Sequence, residues 1–167
     1  MKDEWRMNVE GFGTIRVSEY LIEKILKYQQ LSEGDVESGG ILVGSYLNSN
    51  GFILIEDFTE PQKSDKQSRF GFFRSDKHSE LARYVWNETG GKSTFLGLWH
   101  THPEDYPKYS IVDIIDWNKT LNNSHYDGKL LLFFILGRTH LNCWIGIKKR
   151  FKNNIKLIGS YDVTNNI

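Results

Sequence analysis

A single cysteine, Cys143, occurs among the 167 residues. No internal disulfide can form, and a reducing compartment suits this usage. Cys143 lies in the run Leu141-Asn142-Cys143-Trp144-Ile145 and reads as a small core residue of a strand rather than a nucleophile. An excess of one charge sign is also lacking, with 21 Lys and Arg against 21 Asp and Glu. A neutral chain raises no long-range field toward nucleic acid or an acidic membrane, which speaks against a nuclease. No apolar run is long enough to span a bilayer; the longest, Leu130–Leu136, reads as a buried central strand. The opening Met1-Lys2-Asp3-Glu4-Trp5-Arg6 holds two acids and no apolar stretch, so no signal peptide is expected and the expected location is cytoplasmic. Prolines number three, two of them (Pro103 and Pro107) in one short loop. Repeats, low-complexity tracts and linkers are absent, and one domain over 1–167 is expected, long enough to bury a single core.

Helical and strand periodicities alternate along what is present. Ser18 can cap a first helix over 18–31, with Leu21, Ile22, Ile25 and Leu26 on one face. Gly39–Leu47 and Phe52–Phe58 read as a hairpin around Asn48-Ser49-Asn50-Gly51. The polar stretch 60–68 reads as an exposed loop and 69–74 as a short strand. Asp76 begins a second helix, with Leu81, Ala82, Val85 and Trp86 inward and Gly90-Gly91 as its stop. A strand over 94–102 follows, with Leu96 and Leu98 on the face of His100 and His102, then a third helix over 110–121. Strands are expected over 129–136, 140–148 and 155–161. The fold class this order predicts is α/β, a mixed sheet flanked by helices.

One run carries the chemistry: Trp99-His100-Thr101-His102-Pro103, followed by Ser110-Ile111-Val112-Asp113. Residues two apart on a strand share a face, so His100 and His102 aim at one point. A lone histidine is by default a core residue, but two on one strand face with a carboxylate one short loop later make the ligand set of a catalytic zinc. Asp113 has a second reading, because Ser110-x-x-Asp113 is also a capping box; the two readings can partly coexist. Asp116, one turn on, is the alternative carboxylate. Glu37, in Glu37-Ser38-Gly39-Gly40, is either a solvated charge or the group that takes a proton from water and hands it to a departing amine. The Ser110 hydroxyl is a candidate donor to the oxyanion, worth roughly 3 kcal/mol in other hydrolases. His78, His125 and His140 read as capping, loop and surface residues, and Trp99 and Trp117 as core. Glu104 and Asp105 read as part of a solvated loop beyond Pro103.

The pattern His-x-His-Pro, six residues, Ser-x-x-Asp resembles the JAMM motif of the JAB/MPN metalloprotease superfamily, without gap or substitution. Glu37 matches that family's distal glutamate, and the likeness runs from about Ile15 to Ile147. It implies an MPN/JAB sandwich with a sheet like that of the cytidine deaminases. Deaminase chemistry is not implied, since the His-x-Glu and Pro-Cys-x-x-Cys signature is missing. The resemblance implies one zinc per chain held by His100, His102 and Asp113, with Glu37 and Ser110 catalytic. The stretches 96–104 and 72–78 look most like small stand-alone prokaryotic members, deconjugating peptidases found beside cyclic-nucleotide antiphage (CBASS) systems. The implied substrate is a conjugated protein with an extended C-terminal tail, either a ubiquitin-like protein or a cGAS-like nucleotidyltransferase, and neither nucleic acid nor membrane. A flap formed by 60–68 would border the tail's groove. The alternatives are a non-catalytic MPN scaffold, a JAB protein of DNA repair, and a peptidoglycan hydrolase.

Overall fold

The computed structural model describes residues 4–47 and 51–166. In chain order the elements are β1 (Trp5–Val9), β2 (Gly13–Val17), α1 (Glu19–Ile25), a 3-10 turn (Leu26–Tyr28), β3 (Gly39–Leu47), β4 (Phe52–Phe58), β5 (Lys66–Ser68), β6 (Gly71–Phe73), α2 (Lys77–Glu88), β7 (Thr94–Thr101), α3 (Ile111–Asn123), β8 (Leu130–Leu136), β9 (His140–Ile147) and β10 (Asn154–Asp162). Eight strands form one mixed sheet in the order β1-β2-β4-β3-β7-β8-β9-β10, while β5 and β6 pair only with each other. The pairs β2–β4 and β7–β8 are parallel and the rest antiparallel. Among the described residues no helix is long and apolar enough to cross a membrane.

The sheet separates two apolar cores. On one face α1 lays Leu21, Ile22 and Ile25 against Val17, Leu42, Ile55, Trp99 and Phe134. On the other, α3 sets Trp117 and Leu121 against Ile41, Val43, Leu98, Phe133 and Trp144. Trp117 stacks on Phe133 at 4.6 Å between ring centroids. Because β8 is covered on both faces, all seven of its residues are buried, and its sequence LLLFFIL shows no alternation.

The predicted mixed α/β sheet and its β3–β4 hairpin are present; the Asn48-Ser49-Asn50 turn lies outside the described residues. The first helix stops well short of residue 31, because Gln30 turns inward to a buried position and bonds Asp35 O and Arg69 O. Strands β1 and β2, absent from the sequence expectation, form a hairpin that buries Trp5, Met7, Ile15 and Val17 and exposes alternate polar residues. Trp86 does not point inward: it is 49% exposed and its ring lies over Gly91.

Leu96 is also not where simple alternation puts it. Val43 of β3 pairs with Phe95 while Leu42 pairs with Gly97, so Leu96 is an extra residue on β7. This bulge reverses the alternation. Leu96 and Trp99 therefore enter the α1-side core, while Phe95 and Leu98 pack on the α3 side. Gly97 makes the bulge with φ +153, and a Cβ there would sit 1.7 Å from Leu132 O of the neighbouring strand. Gly97→Ala should lower unfolding stability by about 3 kcal/mol or more, or abolish folding, because both backbone strain and a backbone clash oppose it. Denaturant melts check this, and a melt within 0.5 kcal/mol of wild type, the scale of a neutral surface change, would refute it.

Candidate metal centre

The C-terminal end of β7 lies between β3 and β8, with His100 opposite Gly39 on one side and Ile135 on the other. Beyond the last ladder pairs, Thr101 N–H donates to Ser38 O at 2.9 Å and His102 N–H to Leu136 O at 3.0 Å. The backbone is thus clamped from both sides where the two rings leave it. Both rings are buried, and their Nε2 atoms stand 3.0 Å apart. Asp113 reaches in from the first turn of α3, its Oδ1 3.2 Å from His100 Nε2 and its Oδ2 3.2 Å from His102 Nε2. All three ligand atoms fall within 4.8 Å of one another.

The two readings of Asp113 coexist. Its Oδ2 accepts the Ser110 N–H at 2.7 Å while Ser110 Oγ accepts the Asp113 N–H at 3.1 Å, a complete capping box. The cap fixes the carboxylate that the imidazoles face. Asp116 is not part of the group: Arg74 holds both its oxygens at 2.8 Å.

Two imidazole nitrogens and a carboxylate converge on one spot. With hydrogen on one of the two facing Nε2 atoms, the other presents its lone pair both to that N–H and to an Asp113 oxygen 3.2 Å away. This donor set could hold a metal ion, and two imidazole nitrogens with one carboxylate oxygen fit zinc with a fourth position open. Burial pushes His100 below its usual range. His102 is also buried, but Asp113 and then Glu37 outweigh that and hold it above its usual range. Asp113 is held well below the usual carboxylate range, since hydrogen bonds from both histidines outweigh its burial.

Glu37 is buried just before β3, with Oε1 3.7 Å from His102 Nε2. Burial, opposed by His102 and reinforced by Asp113 and Glu104, pushes its carboxyl up to about 7. Its backbone is pinned from above by the β5–β6 hairpin: Glu37 N–H donates to Ser68 O at 2.7 Å, and Gln67 Nε2 donates to Glu37 O at 2.9 Å. From below, Ser38 N–H donates to Thr101 Oγ1 at 3.0 Å, and that hydroxyl donates to buried Gln30 Oε1 at 2.9 Å. The expected loop 60–68 therefore ends in a strand fastened to the site.

Residues 18–147 match the family described as prokaryotic homologs of the JAB domain. The chain belongs to that family. A CD-NTase/cGAS isopeptidase of Pseudomonas aeruginosa is 36% identical over 128 residues, 76% of this chain and 79% of that protein. Proteins of the same name from Escherichia coli and Vibrio cholerae are 31% and 29% identical, over 81% and 78% of this chain and 81% and 80% of theirs. A solution structure of a Desulfitobacterium hafniense protein shares the fold, with a TM-score of 0.56 at 16% identity over 85% of this chain and 89% of that one.

One polar cluster of this JAB domain escaped the sequence reading. His78, read as a capping residue, is buried, its Nε2 2.8 Å from Asp65 Oδ2 and its Nδ1 2.6 Å from Thr59 Oγ1. Thr59 Oγ1 also accepts the Ile41 N–H at 2.9 Å, and Asp65 accepts N–H groups from Gln62 and Ser75. The cluster ties α2 and the root of the β5–β6 hairpin to β3. Its members lie up to 37 residues apart from Ile41 to His78, and no local pattern marks them. His78→Ala leaves a buried carboxylate and a buried hydroxyl without their shared partner, so stability should fall by about 3 kcal/mol. Chemical denaturation checks this, and an unchanged midpoint would overturn the assigned role.

Proposed function

We propose that this chain is a zinc-dependent isopeptidase that cuts the amide bond after the C-terminal tail of a conjugated protein in antiphage defence. The conjugated protein is a CD-NTase/cGAS-like nucleotidyltransferase or a ubiquitin-like tag. The observation that carries this reading is the convergence of His100, His102 and Asp113 with buried Glu37 beside them. The names of the relatives support the substrate class.

Zinc at these ligands would supply Lewis acidity to water and to the scissile carbonyl. Glu37 takes the proton of the attacking water and delivers it to the leaving amine. A carboxyl raised to about 7 can serve in both directions near neutrality. The Ser110 hydroxyl spends one lone pair on the Asp113 N–H cap, which leaves its own hydrogen free to donate to the oxyanion. His100, His102 and Asp113 would hold the metal, the histidines fixed by β3 and β8 on either side of β7 and the carboxylate by its Ser110 cap on α3.

The tail runs as an extra strand beside the β5–β6 hairpin, whose strands pair only with each other. Exposed Phe70 and Phe73 on that hairpin and Ile111, Val112 and Ile115 on α3 offer apolar surface for the protein that carries the tail. A small residue before the scissile bond suits the confined approach to the buried ligands. With a net charge of zero, local contacts rather than long-range steering select the substrate.

Elemental mass spectrometry after dialysis should find one zinc per chain. Glu37→Gln should keep that zinc and lose about 10²- to 10⁴-fold in turnover of a tag–target fusion, while Asp113→Ala should lose the zinc. Equal zinc contents in the two variants would overturn the division of roles. Ser110→Ala should keep zinc and lower turnover by about 10²-fold, with a melt reduced by about 1 kcal/mol from the lost cap. Full turnover in a folded Ser110→Ala would remove the oxyanion role. Release of intact tag and intact target is the expected product pattern; cleavage of nucleic acid or peptidoglycan with every fusion left whole would sink the reading.

A further inference from the structure

Among the described residues, His102 Nδ1 is the sole buried side-chain nitrogen or oxygen without a hydrogen-bond partner. Its ring presents Nε2 to His100 and Asp113, so Nδ1 is the nitrogen turned away from the ligand cluster. A histidine that binds metal through Nε2 carries its proton on Nδ1, and that N–H wants an acceptor. Among the described residues the carboxylate beside it is Glu104, with Oε1 3.7 Å from Nδ1, about 0.5 Å beyond the usual hydrogen-bonding range.

We propose that Glu104 is a positioning residue that accepts the His102 Nδ1–H once metal is bound, completing a carboxylate–histidine–metal relay. The inference rests on the zinc reading above and deepens it.

Glu104 is built into place for this. Its other oxygen, Oε2, accepts the Lys108 N–H at 3.1 Å. Its backbone carbonyl accepts the Arg138 N–H at 2.7 Å, and the next residue, Asp105, pairs through Oδ1 with Arg138 Nε at 2.8 Å. Gly137 lies directly under this loop, where a Cβ would sit 2.6 Å from Glu104 O. The loop and the end of β7 are both fastened to β8 and the turn after it, so only a side-chain rotation of Glu104 separates the observed contact from a hydrogen bond. At 49% exposed it has the freedom to make that rotation. Its role differs from that of Glu37, which faces Nε2 on the metal side of the same ring. Glu104 works from the far side. It fixes the tautomer, holds the ring against rotation and strengthens Nε2 as a ligand.

The test uses the full chain and zinc alone, with affinity read by competition against a chelator. Glu104→Ala should bind zinc about 10- to 100-fold more weakly than wild type. Glu104→Gln, which keeps an acceptor oxygen, should lose less. The melts of both metal-free variants should stay close to wild type, since among the described residues the other hydrogen bond of this half-exposed side chain is from the Lys108 N–H, which the glutamine oxygen can still accept. In nitrogen-labelled, zinc-loaded protein the His102 Nδ1–H resonance should be protected from exchange with water in wild type and lose that protection in Glu104→Ala. A Glu104→Ala protein with wild-type zinc affinity, or with an equally protected Nδ1–H, would overturn the proposal while leaving the zinc site standing. A wild type that binds no zinc would overturn both.

Discussion

The register of β7 is the constraint on which the rest depends. Its last residues are held on one side by β3 and on the other by β8, in antiparallel and parallel pairing respectively. Because side chains alternate with a period of two, a one-residue slip would exchange the faces of Trp99 and His100. The rings would then enter the α1-side core and an indole would face Asp113. The Leu96 bulge, permitted by Gly97, reconciles this end of the strand with the opposite end, where Phe95 must also fill the α3-side core. The candidate ligands and both cores therefore share one decision about backbone register.

Gathering buried titratable groups has a cost that the surrounding structure offsets locally. His100, His102 and Glu37 are all buried, and Asp113 is nearly so, at 13% side-chain exposure. Unpaired, each would lose more to desolvation than a single hydrogen bond returns. The structure answers with shared contacts: Asp113 caps α3 and faces both rings with the same two oxygens. The buried chain from Gln30 through Thr101 to Ser38 satisfies polar groups beneath Glu37, and Gln67 and Ser68 satisfy its backbone from above. Such a network resists rearrangement because removing any member orphans the next.

Distant likeness and near likeness carry different weight here. At 16% identity the Desulfitobacterium hafniense structure shares the fold alone, and one fold can host many chemistries. The sites separate them. In this chain a pair of histidines on one strand face, a capped carboxylate and a buried glutamate share one end of the sheet. The relatives named as isopeptidases match it over about four-fifths of their own length.

The convergence of His100, His102 and Asp113 was legible because its spacing is local: two histidines on one strand face and a carboxylate in the first turn of the next helix. The same holds for the β3–β4 hairpin, the apolar β8 and the Ser110 cap, where periodicity or capping chemistry acts within a few residues. The sequence by itself determined which side chains can ligate and where most of the central strands and the three helices begin, since these follow from short-range sterics and hydrogen bonding, but it did not reveal β1, β2 or the strand that ends the 60–68 stretch. Tertiary structure alone decided that Glu37 lies beside His102, that Asp116 goes to Arg74 and Asp113 to the histidines, and that His78 is buried between Thr59 and Asp65. It also decided the early end of α1, drawn inward at Gln30, and the reversal of faces at Leu96. These outcomes depend on partners distant in sequence, whose contacts form only when the strands are already in register, and no pattern within one segment encodes them.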